Sequence, residues 1–381
     1  MKLAFLDPLF GASGPWASVY LDTSRDTDDP DRAIDLRWRH QRDALLAQGA
    51  DHATVSALAV AVGTDQALPG RHGQALFAAQ GHLALVEELP EPPVRDTARL
   101  DALPDAAPLA VQHAPDIPYL AVALTCGNEW TPDERTGDRV AGEYVLIVSE
   151  AGRWPTGRVK PEHRLSHQIP IQGWRRAARE VARELGDLAQ RHRAESIVLC
   201  RARDDAWASG MLVNRWPRAL RDRLTVVDDD CVTGPEAAAG PTLLEEHTAR
   251  VLEGRLNAAD QRQLDTFLAQ RARHPGQSEG VGAAVRALQQ GQARALLLDR
   301  RARLAERLWL GTEPPQIALS ASDLETFGAS AVQEEPAVAA LLYAAVRTGA
   351  ELIVLPPDRV EVTDGVGVLL RYRTVSADGP R

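Results

Sequence analysis

The stretch Gly282-Ala283-Ala284-Val285-Arg286-Ala287-Leu288-Gln289-Gln290-Gly291-Gln292-Ala293-Arg294-Ala295-Leu296-Leu297-Leu298 decides how the C-terminal third is built. Up to Gln290 it has helical character; Gly291 interrupts it, and Ala293 to Leu298 is an apolar run of strand type. Working outward, Glu335 to Arg347 reads as a helix, followed by strands at Glu351 to Leu355 and Val366 to Tyr372. On the N-terminal side, Thr242 to Ala272 reads as a helix or helix pair. Helices alternating with buried strands predict an α/β chain with a largely parallel sheet.

Two further segments precede this one, dividing the chain into 1–107, 108–240 and 241–381. In the first, Ala17 to Asp22 has strand character, and a helix carrying Ile34, Trp38 and Leu45 runs until Gly49. A second helix starts at Asp51, a side chain suited to capping, and ends near Val62. Gln74 to Ala79 and Leu83 to Leu89 make a hairpin around Gln80-Gly81-His82, and Pro90 to Pro104 reads as a linker. In the second segment Leu120 to Leu124, Tyr144 to Val148 and Ser196 to Cys200 are continuous apolar strands of the kind covered on both faces. Leu224 to Val227 is a further strand. Arg153 to Trp174 is loop-like, an arginine-rich helix follows to about His192, and Gly234 to Pro241 is a small-residue linker.

Composition narrows the function. The 381 residues are 44% hydrophobic and 25% charged, an ordinary globular balance that excludes a disordered chain. The opening Met1-Lys2-Leu3-Ala4-Phe5-Leu6-Asp7-Pro8 is too short for a signal peptide's apolar core, so the expectation is a cytoplasmic protein with no membrane partner. Cys126, Cys200 and Cys231 are far apart, which supports neither a disulfide framework nor a zinc site. Gly152 to Leu220 holds 14 Arg and Lys against 7 Asp and Glu, a local +7 within a chain of net −10, leaving −17 for the remainder. One basic segment in an acidic chain points to a localised anionic contact, not to general coating of nucleic acid.

No GxxxxGK[ST] loop, HExxH or GxSxG elbow is present, and no cofactor or metal is expected. Gly276 to Gly282 is glycine-rich before a helix, where amides can cradle phosphate, but it follows a helix and not a strand. His163 and His167 are four apart, yet Pro161 and Pro170 bracket them and argue against a shared helical face. Asp228-Asp229-Asp230 offers hard oxygens for Mg²⁺, with an acidic surface loop as the plainer reading.

The two C-terminal stretches, Gly282 to Leu298 and Ala344 to Tyr372, resemble the closing domain of release factors and Pelota. Val19 to Asp26 and Pro69 to Gln74 are similar to N-terminal motifs of bacterial relatives, so the chain resembles the bacterial archaeo-eukaryotic-type peptide chain release factor family. The resemblance implies a three-domain α/β architecture whose C-terminal sandwich is akin to the kink-turn RNA-binding ribosomal protein fold. It implies the ribosome as partner, through ribosomal RNA of the A-site region, and a translational GTPase through the C-terminal domain. Relatives include ankyrin/zinc-finger peptidyl-tRNA hydrolases and Balon-type ribosome hibernation factors.

In that family a loop before an arginine-rich helix presents Gly-Gly-Gln, whose glycines free the backbone while the glutamine places water. Here the corresponding residues are Ile169-Pro170-Ile171-Gln172-Gly173-Trp174-Arg175-Arg176, with no Gly-Gly-Gln. Two readings follow. In the first, a non-catalytic ribosome-associated factor of hibernation, stress protection or rescue uses Arg164, Gln172, Gly173, Trp174, Arg175, Arg176, Arg179 and Arg183 against RNA. Trp174 then either stacks on a base or is the helix's first buried residue, and the arginines either meet RNA or pair locally with Glu180 and Glu184. In the second, a peptidyl-tRNA hydrolase uses His163, His167 and Gln172 as general base and water-positioning groups.

Overall fold

The computed structural model describes the chain except for residues 12–13, 127–130, 133–138, 142, 161, 202–204, 229–239, 302–303, 305, 312, 314–315, 327–328, 330–331, 358 and 373–381. The side chains of 125–126, 131–132, 139–141, 143–150, 163, 166, 240–243 and 326 also lie outside the description. The contacts gather into two compact units, Met1–Pro115 together with Ala258–Arg381, and Asp116–Asn257. The first segment of the sequence reading thus shares one unit with residues 258–381 of the third, while 241–257 belong to the other.

The N-terminal part of the first unit is an antiparallel sheet in the order His82–Leu89, Gly73–Ala79, Trp16–Asp22, Thr97–Asp101. Period-two alternation splits the strand Trp16–Asp22 between two cores. Ala17, Val19 and Leu21 pack with Ile34, Trp38, Leu45 and Leu58 of the helices Pro30–Ala47 and His52–Ala61. Trp16 and Tyr20 face the other way, into a core shared with Leu288, Leu296, Leu341 and Val368 of the C-terminal part. Asp51 caps its helix as expected, its carboxylate accepting from the Thr54 amide at 2.8 Å. The hairpin turns through Gln80 and Gly81, both at positive φ. Part of the stretch read as a linker is the edge strand Thr97–Asp101; only Ala98 and Leu100 of it touch the core, too short an apolar alternation to stand out among charges.

The two N-terminal motifs meet. Thr23 Oγ1 donates to Asp65 Oδ2 at 2.6 Å, His72 Nε2 lies 2.9 Å from the same oxygen, and the Arg25 amide donates to Gly70 O at 2.8 Å.

The second unit carries a five-stranded sheet in the order Leu224–Asp228, Ser196–Arg201, Ile117–Cys126, Glu143–Trp154, His163–Pro170. The first three strands are parallel, but the last two join antiparallel, so the sheet is mixed, not largely parallel. The connection between them, Thr156–Arg158 with its flanks, is too short for a crossover and forces a hairpin. The stretch read as loop therefore includes the edge strand His163–Pro170. Leu120, Val122, Leu124, Ile197 and Leu199 face the helix Trp174–Arg191. Tyr119, Ala121, Ala123, Val198 and Cys200 face the helix Gly240–Leu252 through Leu244 and Leu252. Strands covered on both faces read as continuous apolar runs, which is how the sequence shows them.

The C-terminal part of the first unit uses one device twice. Gly291 and Gly349, both at φ 64, end the helices Val281–Gln289 and Ala337–Thr348. At each, the following amide reaches back to a carbonyl five residues earlier, Gln292 to Ala287 and Ala350 to Ala345, both at 2.8 Å. The chain then enters Ala293–Asp299 and Glu351–Leu355, which pair in parallel with Leu296 beside Leu352. Val366–Leu370 adds antiparallel on the other edge of Ala293–Asp299, so the three expected strands form one sheet. A second sheet joins Ile317–Ala318, Arg307–Gly311 and Val332–Pro336. Among the described residues, no helix is long and apolar enough to cross a membrane.

Candidate nucleic-acid interface

The edge strand His163–Pro170 sets up the site. Alternation leaves Leu165, His167 and Ile169 half-buried, with Leu165 and Ile169 packed on the core under the arginine helix, and turns Arg164, Gln168 and Pro170 outward. His167 Nε2 lies 3.2 Å from Glu184 Oε2 on that helix. Arg164 projects from the opposite side of the strand and does not join the helix arginines. The side chain of His163 lies outside the description.

A single 3-10 turn, Ile171–Gly173, connects this strand to the helix Trp174–Arg191. The turn is pinned at both ends. Ile171 is buried, and Trp174 is fully enclosed, its Nε1–H donating to Ala208 O at 3.2 Å. Gln172 and Gly173 are exposed between these anchors. The enclosed indole is core, and no face of it is presented to a base.

Trp174, Ala178, Val181, Ala182, Leu185, Leu188 and Ala189 form the buried stripe of the helix. Arg175, Arg176, Arg179 and Arg183 are exposed and, at about 100° per residue, fall within an arc of about 100°. Among the described residues none of the four makes an ion pair within 4 Å, and Glu184 is engaged with His167 instead. Arg175 and Arg176 occupy the first turn, which has no acidic residue and no side-chain cap. Cations there oppose the helix dipole, at about 0.3–1 kcal/mol each at low salt. Local stability does not explain that placement, whereas an incoming anion would relieve it.

Other candidates resolve differently. Among the described residues, no cluster of three His, Cys, Asp or Glu side chains is placed to hold a metal ion. Asp228 is bonded to Arg201 Nε at 2.7 Å, and Asp229, Asp230 and Cys231 lie outside the described residues. The glycine-rich stretch at Gly276 to Gly282 leads into a helix whose first amide, Val281 N–H, already donates to Asp364 Oδ2 at 3.3 Å. Sequence reasoning passed over Arg215, which lines one cleft with Arg179 and Arg183 although it lies 32 positions beyond the latter.

Residues 135–273 match the model of bacterial archaeo-eukaryotic release factor family 2, a span that contains the edge strand, the turn and the arginine helix. Over that segment the chain is similar to bacterial archaeo-eukaryotic release factors. Uncharacterized protein Rv2629 of Mycobacterium tuberculosis strain H37Rv is 26% identical over 381 residues, covering 97% of each chain, and uncharacterized protein MT2704 of strain CDC 1551 matches equally. Among solved structures, an archaeal translation termination factor, aRF1, aligns at 16% identity over 97% of this chain and 96% of its own, with TM-score 0.22. Archaeoglobus fulgidus Pelota aligns at 12% over 80% and 84%, with TM-score 0.35.

Proposed function

We propose that this chain is a ribosome-associated translation factor of hibernation, stress protection or rescue that works without release-factor hydrolysis. The observation that carries this is the arginine face of the helix Trp174–Arg191: four exposed guanidiniums without an ion pair among the described residues, two of them against the helix dipole. It lies inside the segment matched by the release-factor family, so the anion it would meet is ribosomal RNA of the A-site region. A translational GTPase as second partner and a cytoplasmic location belong to the same reading.

The turn supports a reading without hydrolysis. The sequence contains no Gly-Gly-Gln, and at the corresponding place Gln172 and Gly173 sit on one 3-10 turn between buried Ile171 and Trp174. A turn anchored on both sides cannot extend as a free loop toward an ester. His167, engaged by Glu184, is held on the strand.

Changing Arg175, Arg176 and Arg179 together to Glu tests the RNA contact. Co-sedimentation with 70S ribosomes should be lost while circular dichroism is unchanged; a variant that sediments like wild type between 50 and 200 mM salt sinks the assignment. Peptide release is tested on stalled complexes carrying labelled nascent chains. Multiple-turnover release that disappears in Gln172→Ala or His167→Ala would make the protein a peptidyl-tRNA hydrolase instead.

A further inference from the structure

The arginine face continues into a cleft of about 500 Å³ in which Arg179, Arg183, Asp187 and Gln190 face Arg215 and Pro217. Small residues make the depression, since Ala182 and Gly186 of the helix also line it. Trp216 fixes the opposite wall. It is 3% exposed, and its indole Nε1–H donates to Ala182 O at 2.9 Å, which clamps the corner Arg215–Pro217 against the helix. Arg215 Nη1 donates to Met211 O, leaving its remaining donors to the cleft. Among the described residues Arg179, Arg183 and Arg215 make no ion pair within 4 Å, so three guanidiniums and one carboxylate leave the cleft at +2.

Guanidiniums from two chain segments converging on one concavity suit a phosphodiester, because their forked donors match its paired oxygens. Asp187 has the opposite chemistry. An ionised carboxylate only accepts, so it repels phosphate and favours a hydroxyl beside it. The ribose 2′-hydroxyl is such a donor, and it separates RNA from DNA. We propose that this cleft seats one nucleotide of RNA backbone, with its phosphate held by Arg179, Arg183 and Arg215 and its 2′-hydroxyl donating to Asp187. The proposal rests on the ribosomal-RNA reading and adds Arg215, a ligand class and a sugar contact to it.

The test is co-sedimentation of the full chain with 70S ribosomes from 50 to 200 mM KCl. Arg215→Gln should reduce the slope of log affinity against log salt by about one unit, an affinity change across that range about 3.5-fold smaller than wild type. Arg215→Lys should keep the slope, as should Arg218→Gln, whose arginine lies outside the cleft beside Asp222 at 3.8 Å. Asp187→Ala gives the sharper sign. If the cleft acted by charge alone, removing an acid would tighten binding; loss of a ribose contact should weaken it about fivefold. Arg215→Gln coinciding with wild type, while the Arg175, Arg176 and Arg179 triple variant no longer sediments, overturns the cleft and leaves the arginine face standing. Asp187→Ala binding as well as or better than wild type overturns the ribose contact. Wild type that fails to sediment with ribosomes at 50 mM KCl overturns the wider reading and the cleft with it.

Discussion

His72 is wedged between Asp65 and Gly70, its Nε2 2.9 Å from the Asp65 carboxylate and its Nδ1 3.1 Å from the Gly70 carbonyl. Both oxygens lie within hydrogen-bond distance of a ring nitrogen, so the imidazole is held from both sides. His72→Ala should leave the buried Asp65 with the Thr23 hydroxyl alone on Oδ2 and no hydrogen bond on Oδ1. With the Arg25 guanidinium still 4.0 Å from Oδ1, losing the His72 hydrogen bond should cost about 1–3 kcal/mol. Urea unfolding followed at the N-terminal sheet measures it, and a loss below about 1 kcal/mol would show that the contact is dispensable.

The same carboxylate sets an acid limit. Burial pushes the Asp65 carboxyl up, but hydrogen bonds from His72 and Thr23 and the charge of His72 outweigh it and hold it below its ordinary value. A lowered carboxyl contributes stability above its unfolded value and loses it as pH falls through the lowered folded value. The stability advantage of wild type over Asp65→Asn should therefore be largest at neutral pH and shrink in acid. A difference independent of pH would contradict this.

Glu335 behaves in the opposite sense. Burial, reinforced by the neighbouring charge of Asp101, raises its carboxyl despite a hydrogen bond from Gln333. A raised carboxyl favours folding below its unfolded value, and that contribution is lost as pH rises through the folded value. Glu335→Gln should melt higher than wild type at pH 8 and equal to it in acid. Lower melting at pH 8 would show that the charged form is needed.

Trp174 separates packing from recognition. Trp174→Phe should lose about 1–2 kcal/mol, by removing the indole N–H that donates to the Ala208 carbonyl. Trp174→Ala should lose about 3–5 kcal/mol through the cavity. Trp174→Phe should still sediment with ribosomes; a folded Trp174→Phe that does not would return the indole to the RNA-facing set.

Two glycines make a matched pair. Gly173 has φ −84, and a Cβ added there meets nothing within 4 Å, so Gly173→Ala should change stability by less than about 0.5 kcal/mol and keep ribosome binding. Gly349 sits at φ 64, where Ala is strained by about 1–2 kcal/mol. Lost binding in Gly173→Ala would mean that the turn works by close backbone approach.

The fold was legible where one period dominates. The doubly covered strands Leu120 to Leu124 and Ser196 to Cys200, and the Gly291 and Gly349 helix ends, carry their structure in adjacent residues. The edge strands Thr97–Asp101 and His163–Pro170 were hidden because one face of each is charged or polar and the other touches the core at only two positions. The arginine face was legible because its members lie on one helix. That Trp174 turns inward depends on Ala208, and the part of Arg215 depends on Trp216 meeting Ala182, both contacts 34 residues apart in sequence. Spacing rules reach across one helical turn and carry no information over such distances.

The division of the first unit into Met1–Pro115 and Ala258–Arg381 has a consequence for synthesis. A chain leaving the ribosome delivers Trp16, Tyr20 and Phe77 long before Leu296, Leu341 and Val368, which share their core. At roughly 5–20 residues per second, the interval between Phe77 and Val368 lasts on the order of 15–60 s. The unit Asp116–Asn257 is contiguous and can close during that wait, while the apolar side of the N-terminal sheet stays bare. Nascent chains truncated before residue 258 should accordingly engage chaperones through that sheet, and release them once the last strand, Val366–Leu370, has emerged.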